Sequence, residues 1–417
     1  MSLFMENRKK RILILTADAG FGHRSASLAI QSAIEDLYPD HYQISLVNPI
    51  DHKKAPSFIK DSQSEYDKWV RDVPELYKFG YELSDSPIPV TILESILVVS
   101  LFEVINEMIE EYEPEIIINT YPLYQAPFVA VKTLHRLNIP MITIVTDLAT
   151  VHQIWFNDKV DWLVVPTEIV RDDAIEAGVN PDNICVIGIP VNPRIFQLKE
   201  TKQDLRKSLG WNPDLTTILA VGSKRVEHFG ENLDLLNHSG FPFQLIVVTG
   251  KDQKLYEELK LIEWHHAIHL YEFVDKMPEF MRASDLLITK AGGLIVTEAL
   301  ASGLPMILID VISGQESGNA KFVQDGKAGY WTKNAIEFLQ VLGHLFFNEK
   351  ADLKQAKENA QIIGKPSSAM QIAELIINQL ETSEFTCSPK VDFIQMIEGI
   401  LVKNQIQWKK NHNINDF

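Results

Sequence analysis

The segment Thr289-Lys290-Ala291-Gly292-Gly293-Leu294-Ile295-Val296-Thr297-Glu298-Ala299-Leu300 decides the fold class. It begins at the end of an apolar run, Leu286–Thr289, and reads as strand, paired-glycine turn and helix. Ile295, Val296, Ala299 and Leu300 recur at helical spacing and make one buried face, from which Glu298 points away. Free backbone amides at the start of such a helix suit a diphosphate. A surface acid is the plain reading of Glu298. At that place an acid also accepts the two hydroxyls of a ribose, as in dinucleotide sites.

Outward from this unit the same alternation repeats. Arg11–Thr16, Glu115–Asn119, Met141–Thr146 and Trp162–Val165 read as strands in the first half, with helices at His23–Leu37 and Ala126–Leu137. Thr217–Val221, Gln244–Val248, Ala267–Leu270, Leu286–Thr289 and Met306–Ile309 follow in the second, separated by helices such as Gly230–Asn237, Gln253–Leu261 and Leu294–Ala301. Strands alternating with helices make βαβ units and parallel sheets. The turn-rich Gly188-Ile189-Pro190-Val191-Asn192-Pro193 separates the halves. The expected domains are 1–196, 197–385 and a helical tail, 386–417. Ligands in such sheets sit beyond the carboxyl ends of the strands, so chemistry is sought just after each one.

Three further segments stand there. Thr16-Ala17-Asp18-Ala19-Gly20-Phe21-Gly22-His23-Arg24 leads into a helix, with glycines that allow close approach to a ligand, or serves only as a tight turn capped by His23. Thr146-Asp147 ends a buried strand, where Asp147 acts as a base or caps a turn, with Trp155 a little further on. Gly314-Gln315-Glu316-Ser317-Gly318-Asn319 offers bidentate side chains to sugar hydroxyls, or is an ordinary loop. The sequence contains no Asp-x-Asp triplet, so a donor site built on a divalent metal is not expected, and no cofactor is. Helix dipole and basic side chains are left to stabilise a departing diphosphate.

Composition bounds the rest. With 417 residues, 46% of them apolar, the chain is expected to fold as two domains. A net charge of −17 gives no footprint for nucleic acid. Cys185 and Cys387 have no metal-ligand spacing and favour a reducing compartment, hence a cytoplasmic location. No secretion signal is read before the strand at Arg11–Thr16. Ile88–Ile109 is interrupted by Glu94, Glu103 and Glu107 and falls short of a spanning helix, leaving an interfacial or a buried core helix.

Taken together, these segments resemble the monogalactosyldiacylglycerol synthases and their bacterial diacylglycerol glycosyltransferase relatives, themselves related to the enzyme that adds N-acetylglucosamine to lipid II precursor. The resemblance rests on Asp18-Ala-Gly-Phe-Gly22-His23-Arg24, Val145-Thr-Asp147-Leu-Ala-Thr, Gly188-Ile-Pro190-Val, Phe273-Val-Asp275-Lys-Met-Pro278, Thr289-Lys-Ala-Gly292-Gly293, Glu298-Ala-Leu-Ala-Ser-Gly303-Leu-Pro305 and Gly314-Gln315-Glu316-Ser-Gly-Asn319, in the family's order. It implies the GT-B fold, two Rossmann-like domains with parallel sheets facing across a cleft. It implies inverting transfer of a hexose from a UDP-sugar to a lipid hydroxyl, with diacylglycerol as acceptor. His23 then matches the acceptor-side histidine, helped by Asp18 or Asp147, with Gly20, Gly22 and Trp155 nearby. Phe273 matches the position whose backbone meets uracil, Gly292 and Gly293 the phosphate turn, and Glu298 the ribose-binding acid. Gln315, Glu316 and Asn319 match the sugar loop, and Lys290 joins the donor side.

This chain departs from its relatives in two places. Gly20-Phe21-Gly22 stands where relatives often have three glycines, and Gly222-Ser223-Lys224-Arg225 replaces a glycine-rich run, placing cationic side chains beside the diphosphate. Within the same fold, a cell-wall or soluble-acceptor transferase and a UDP-sugar epimerase are the alternatives, and a catalytically inactive sugar-nucleotide binding module is a third. A peripheral position on the inner face of the cell membrane is expected, with Arg8, Lys9, Lys10, Arg11, Lys53 and Lys54 as anchoring charges beside Leu3, Phe4 and Met5.

Overall fold

A computed structural model describes residues 8–18, 22–57, 60, 87–222, 226, 228–312 and 316–382. Gly20, Ser223, Lys224, Arg225 and Gln315, the Leu3-Phe4-Met5 triplet and the expected tail 386–417 lie outside them. Among the described residues, two six-stranded sheets form. The first contains β1 (Lys10–Leu15), β2 (Tyr42–Val47), β3 (Ile116–Asn119), β4 (Met141–Ile144), β5 (Trp162–Val165) and β6 (Ile184–Val186), in the order β2-β1-β3-β4-β5-β6. The second contains β7 (Thr217–Val221), β8 (Gln244–Val248), β9 (Ala267–Tyr271), β10 (Leu286–Thr289), β11 (Met306–Leu308) and β12 (Gly329–Trp331), in the order β12-β11-β10-β7-β8-β9. Each strand pair is parallel.

Burial on both faces explains why the strands read as unbroken apolar runs rather than alternations. In β1, Leu13 and Leu15 enter a core with the helices Pro87–Tyr112 and Gln125–His135. Ile12 and Ile14 point the other way, into a core with the helix Gly22–Leu37. That helix buries Ala26, Ala29, Ile30, Ala33 and Ile34, a stripe at helical spacing. The strand order reverses between β1 and β3 in the first sheet and between β7 and β10 in the second. Those two reversals are where an open sheet leaves room for a ligand.

Among the described residues, the chain passes between domains twice. Gly188 has φ +115°, and a Cβ there would stand 2.9 Å from Lys365 Cβ, so glycine is needed on both counts. Beside it, Ser368 Oγ donates to Ile189 O at 2.8 Å, tying the outgoing and returning segments together. The returning helix, Ser368–Thr382, buries Ile372, Ala373 and Ile376 in the core that contains Ile12 and Ile14. It therefore completes the first domain, although it lies within the 197–385 span expected for the second.

Candidate active site

At the reversal of the first sheet, His23 stands one residue inside the helix that follows β1. Its Nδ1 lies 2.9 Å from the carbonyl oxygen of Thr120, just beyond β3, and 2.7 Å from Thr146 Oγ1, just beyond β4. A carbonyl oxygen only accepts, so Nδ1 carries the proton and Nε2 retains the lone pair. Thr120 is itself fixed: its N–H donates to Leu15 O at 3.0 Å, and its hydroxyl lies 2.8 Å from Ser27 Oγ. Removal from water lowers the His23 pKa, opposed by the charge of Asp147 and by the Thr120 hydrogen bond. Burial raises the Asp147 carboxyl, opposed first by His23 and then by the Trp155 hydrogen bond. Trp155, fully buried, donates its Nε1–H to Asp147 Oδ2 at 2.7 Å.

At the reversal of the second sheet, Gly292 caps the helix Gly293–Ala301, which follows β10. Val296, Ala299 and Leu300 are buried as their spacing requires. Glu298 is half-buried on the same helix, and burial pushes its pKa up to about 7. Lys290 forms an ion pair with Glu316, the residue that caps the helix Ser317–Asp325. Asn319 on that helix donates its Nδ2–H to Ala291 O at 2.9 Å, joining the sugar-loop helix to the glycine turn. Phe273 is exposed beyond β9, with Lys251 Nζ 4.3 Å from its ring centre. Gly222 follows β7, where a Cβ would meet the Phe229 ring at 2.6 Å.

The halves touch through the loop after β4. A Cβ on Gly293 would lie 3.6 Å from Thr146 O, and one on Gly318 would lie 1.9 Å from Thr150 Oγ1. The Asp147 loop thus sits against the starts of both second-domain helices, the one after the glycine turn and the one after Glu316. His23 and the helix Gly293–Ala301 that carries Glu298 thus approach the same loop from the two domains.

A family model described as monogalactosyldiacylglycerol (MGDG) synthase matches residues 23–191, and one described as glycosyltransferase family 28 C-terminal domain matches residues 219–376. A probable monogalactosyldiacylglycerol synthase 3, chloroplastic, of Oryza sativa subsp. japonica is 32% identical, over 94% of this chain and 81% of its own length. The chain belongs to the monogalactosyldiacylglycerol synthase family. Membership makes it a glycosyltransferase that draws on a UDP-sugar and acts on diacylglycerol, as the resemblance implied.

The GT-B fold is shared with solved structures of low identity. MurG of Acinetobacter baumannii has a TM-score of 0.58 at 14% identity, covering 88% of this chain and 99% of its own. HepE of Anabaena, solved in complex with UDP, has a TM-score of 0.51 at 15% identity, covering 88% and 100%. One expectation is corrected by the relatives. Those from Oryza sativa, Glycine max and Arabidopsis thaliana are named chloroplastic, which overturns a cytoplasmic location on the inner face of a cell membrane. Two distant cysteines report a reducing environment, and that does not distinguish one reducing compartment from another.

Within this family frame the site residues separate. The structure brings together His23, Gly22, Asp147 and Trp155 on one wall, and Lys290, Gly292, Gly293, Glu316 and Asn319 on the other. Asp18 is exposed and accepts from Asn48 Nδ2 at 3.4 Å, so Asp147, not Asp18, supplies the charge that His23 feels. Glu298 is half-buried in place of the fully exposed position its helical phase suggested. Of the expected anchoring charges, Arg8 and Arg11 pair with Glu113, Lys10 with Glu381, Lys9 with Asp40, and Lys54 with Glu103 and Glu107. Sequence reading missed Thr120. Its one signal is its place at the carboxyl end of a strand, which becomes telling only once β3 is known to lie beside β1.

Proposed function

We propose that the cleft carries out an inverting transfer of galactose from UDP-galactose to the hydroxyl of diacylglycerol, with His23 as the base. The observation that supports this reading is the 2.9 Å contact between His23 Nδ1 and the Thr120 carbonyl, which leaves Nε2 as the basic atom. The acceptor O–H gives its proton to Nε2 as its oxygen forms a bond to the anomeric carbon. The bond from that carbon to the β-phosphate oxygen breaks on the opposite side, and UDP leaves with the electron pair. Asp147 stabilises the imidazolium that forms, held in place by Trp155. The amides at the start of the helix Gly293–Ala301 stabilise the departing diphosphate, and Glu298 accepts the ribose hydroxyls. The sugar hydroxyls go to Glu316 and Asn319, with Gln315 in the same loop, and uracil to the backbone at Phe273.

We also read the enzyme as a peripheral membrane protein. Ile92, Ile96 and Val99 are 55%, 49% and 73% exposed on the helix Pro87–Tyr112 and, four and three residues apart, share one side of it. Among the described residues no helix is long and apolar enough to cross a membrane. With Arg8, Lys9, Lys10, Arg11 and Lys54 already paired, this apolar stripe, rather than charge, supports docking.

The test of the base is His23→Ala. Turnover should fall by about 10²–10⁴-fold with UDP affinity unchanged. A variant that retains more than a tenth of the rate would move the role to Asp147.

A further inference from the structure

Lys290 and Glu316 are both assigned to the donor, yet in this structure they hold each other. The Lys290 side chain is 17% exposed and that of Glu316 6%. The carboxylate is engaged at both oxygens, since Oε1 accepts from Lys290 Nζ and Oε2 from the Ile312 amide at 3.3 Å. Glu316 is also anchored through its own backbone, its N–H donating to Ile312 O at 3.0 Å. Lys290 precedes the Gly292–Gly293 turn by two residues and Glu316 starts the next helix, so the pair spans the gap between the diphosphate and hexose positions.

We propose that Glu316 competes with the diphosphate for Lys290, so that UDP alone binds weakly and the hexose supplies what the full donor gains. The reasoning is one of charge and hydrogen-bond supply. A diphosphate arriving at the glycine turn draws on the Lys290 ammonium, and whatever Lys290 gives to phosphate it withdraws from a carboxylate that is largely out of water. A buried carboxylate left without its cation is destabilised. In the complete donor, the hexose hydroxyls donate to that carboxylate and replace the lost partner. With UDP as product the hexose has gone, Glu316 reclaims Lys290, and the diphosphate is released. Glu316 thereby favours the substrate over the product of the same reaction.

This inference rests on the donor reading of the preceding subsection, and its test separates the two. Dissociation constants for UDP and UDP-galactose are measured on the full chain and on Glu316→Gln, Lys290→Gln and the double variant. Glu316→Gln should tighten UDP by about tenfold and shrink the advantage of UDP-galactose over UDP. In steady state it should make UDP a stronger product inhibitor. In the Lys290→Gln background the same substitution should leave UDP affinity unchanged, because the contested cation is gone. UDP affinity that is unchanged or weaker in Glu316→Gln, or that tightens equally with and without Lys290, overturns the competition. The double variant removes both charges, so it still reports if the single variant is too unstable to titrate. A wild-type protein that binds neither ligand defeats the donor reading itself, a separate outcome.

Discussion

With Glu298 as the proposed ribose acceptor, donor affinity should depend on pH around neutrality. Burial holds its pKa at about 7 in the donor-free protein. Ribose hydroxyls donate to it best when it is ionised, since a charged acceptor forms hydrogen bonds roughly twice as strong as a neutral one. With a pKa near 7, about nine-tenths of the carboxyl is ionised at pH 8 and about one-tenth at pH 6. Affinity should therefore fall about tenfold between those two values, equivalent to about 1.4 kcal/mol. The assay is calorimetric titration of UDP-galactose at pH 6, 7 and 8. In that ligand both phosphates are esterified and carry no group titrating in this range. Glu298→Gln should bind weakly at each pH with a flat profile. A flat wild-type profile, or the same slope in Glu298→Gln, would refute the assignment. Stability without donor runs the opposite way. The folded pKa lies above the unfolded one, so the contribution of this carboxyl is present at acid pH and is lost as pH rises from the mid-4s through about 7.

Three further outcomes follow from the geometry. Trp155→Phe removes the hydrogen bond to Asp147 Oδ2, so the Asp147 pKa should rise further and the acid limb of the kcat–pH profile should move up, while UDP affinity stays unchanged. Gly318→Ala sets a methyl group against Thr150, whose Oγ1 can rotate away but whose Cβ and backbone N, at 3.0 and 3.1 Å, cannot. The two walls must then separate slightly, and kcat should drop by about 10–10²-fold with a loss of about 1–3 kcal/mol in chemical denaturation. An unaltered kcat would show that the loop contact does not set the catalytic geometry. Replacing Ile96 and Val99 by Asp should abolish co-sedimentation with diacylglycerol-containing vesicles, and wild-type binding should survive high salt because the N-terminal cations are paired. Loss of wild-type binding at high salt would return the docking role to charge.

The apolar runs, the glycine turn and the amphipathic helices were legible in the sequence because each is fixed by residues a few positions apart. Leu286–Thr289 cannot remain exposed, Gly292-Gly293 leaves amides free, and Val296, Ala299 and Leu300 repeat at helical spacing. Local pattern therefore gave the strand–helix alternation, the carboxyl ends at which to look, and the motifs of the family. It did not give β2, nor the short strands β6 and β12, whose three residues each are too few to establish a period. What only the tertiary structure decided are relations between distant residues. His23 gains its tautomer from a carbonyl 97 positions away, and Lys290 gains its partner 26 positions on. The helix Ser368–Thr382 crosses to the first domain because its apolar stripe completes the core around Ile12 and Ile14. Likewise the cations of Arg8–Arg11 look available in sequence and are taken up by Glu113, Glu381 and Asp40, carboxylates that folding alone brings near. Periodicity records which face of an element is buried, but the partner that buries it, and the charge it meets there, depend on how the sheets stack and where the chain returns.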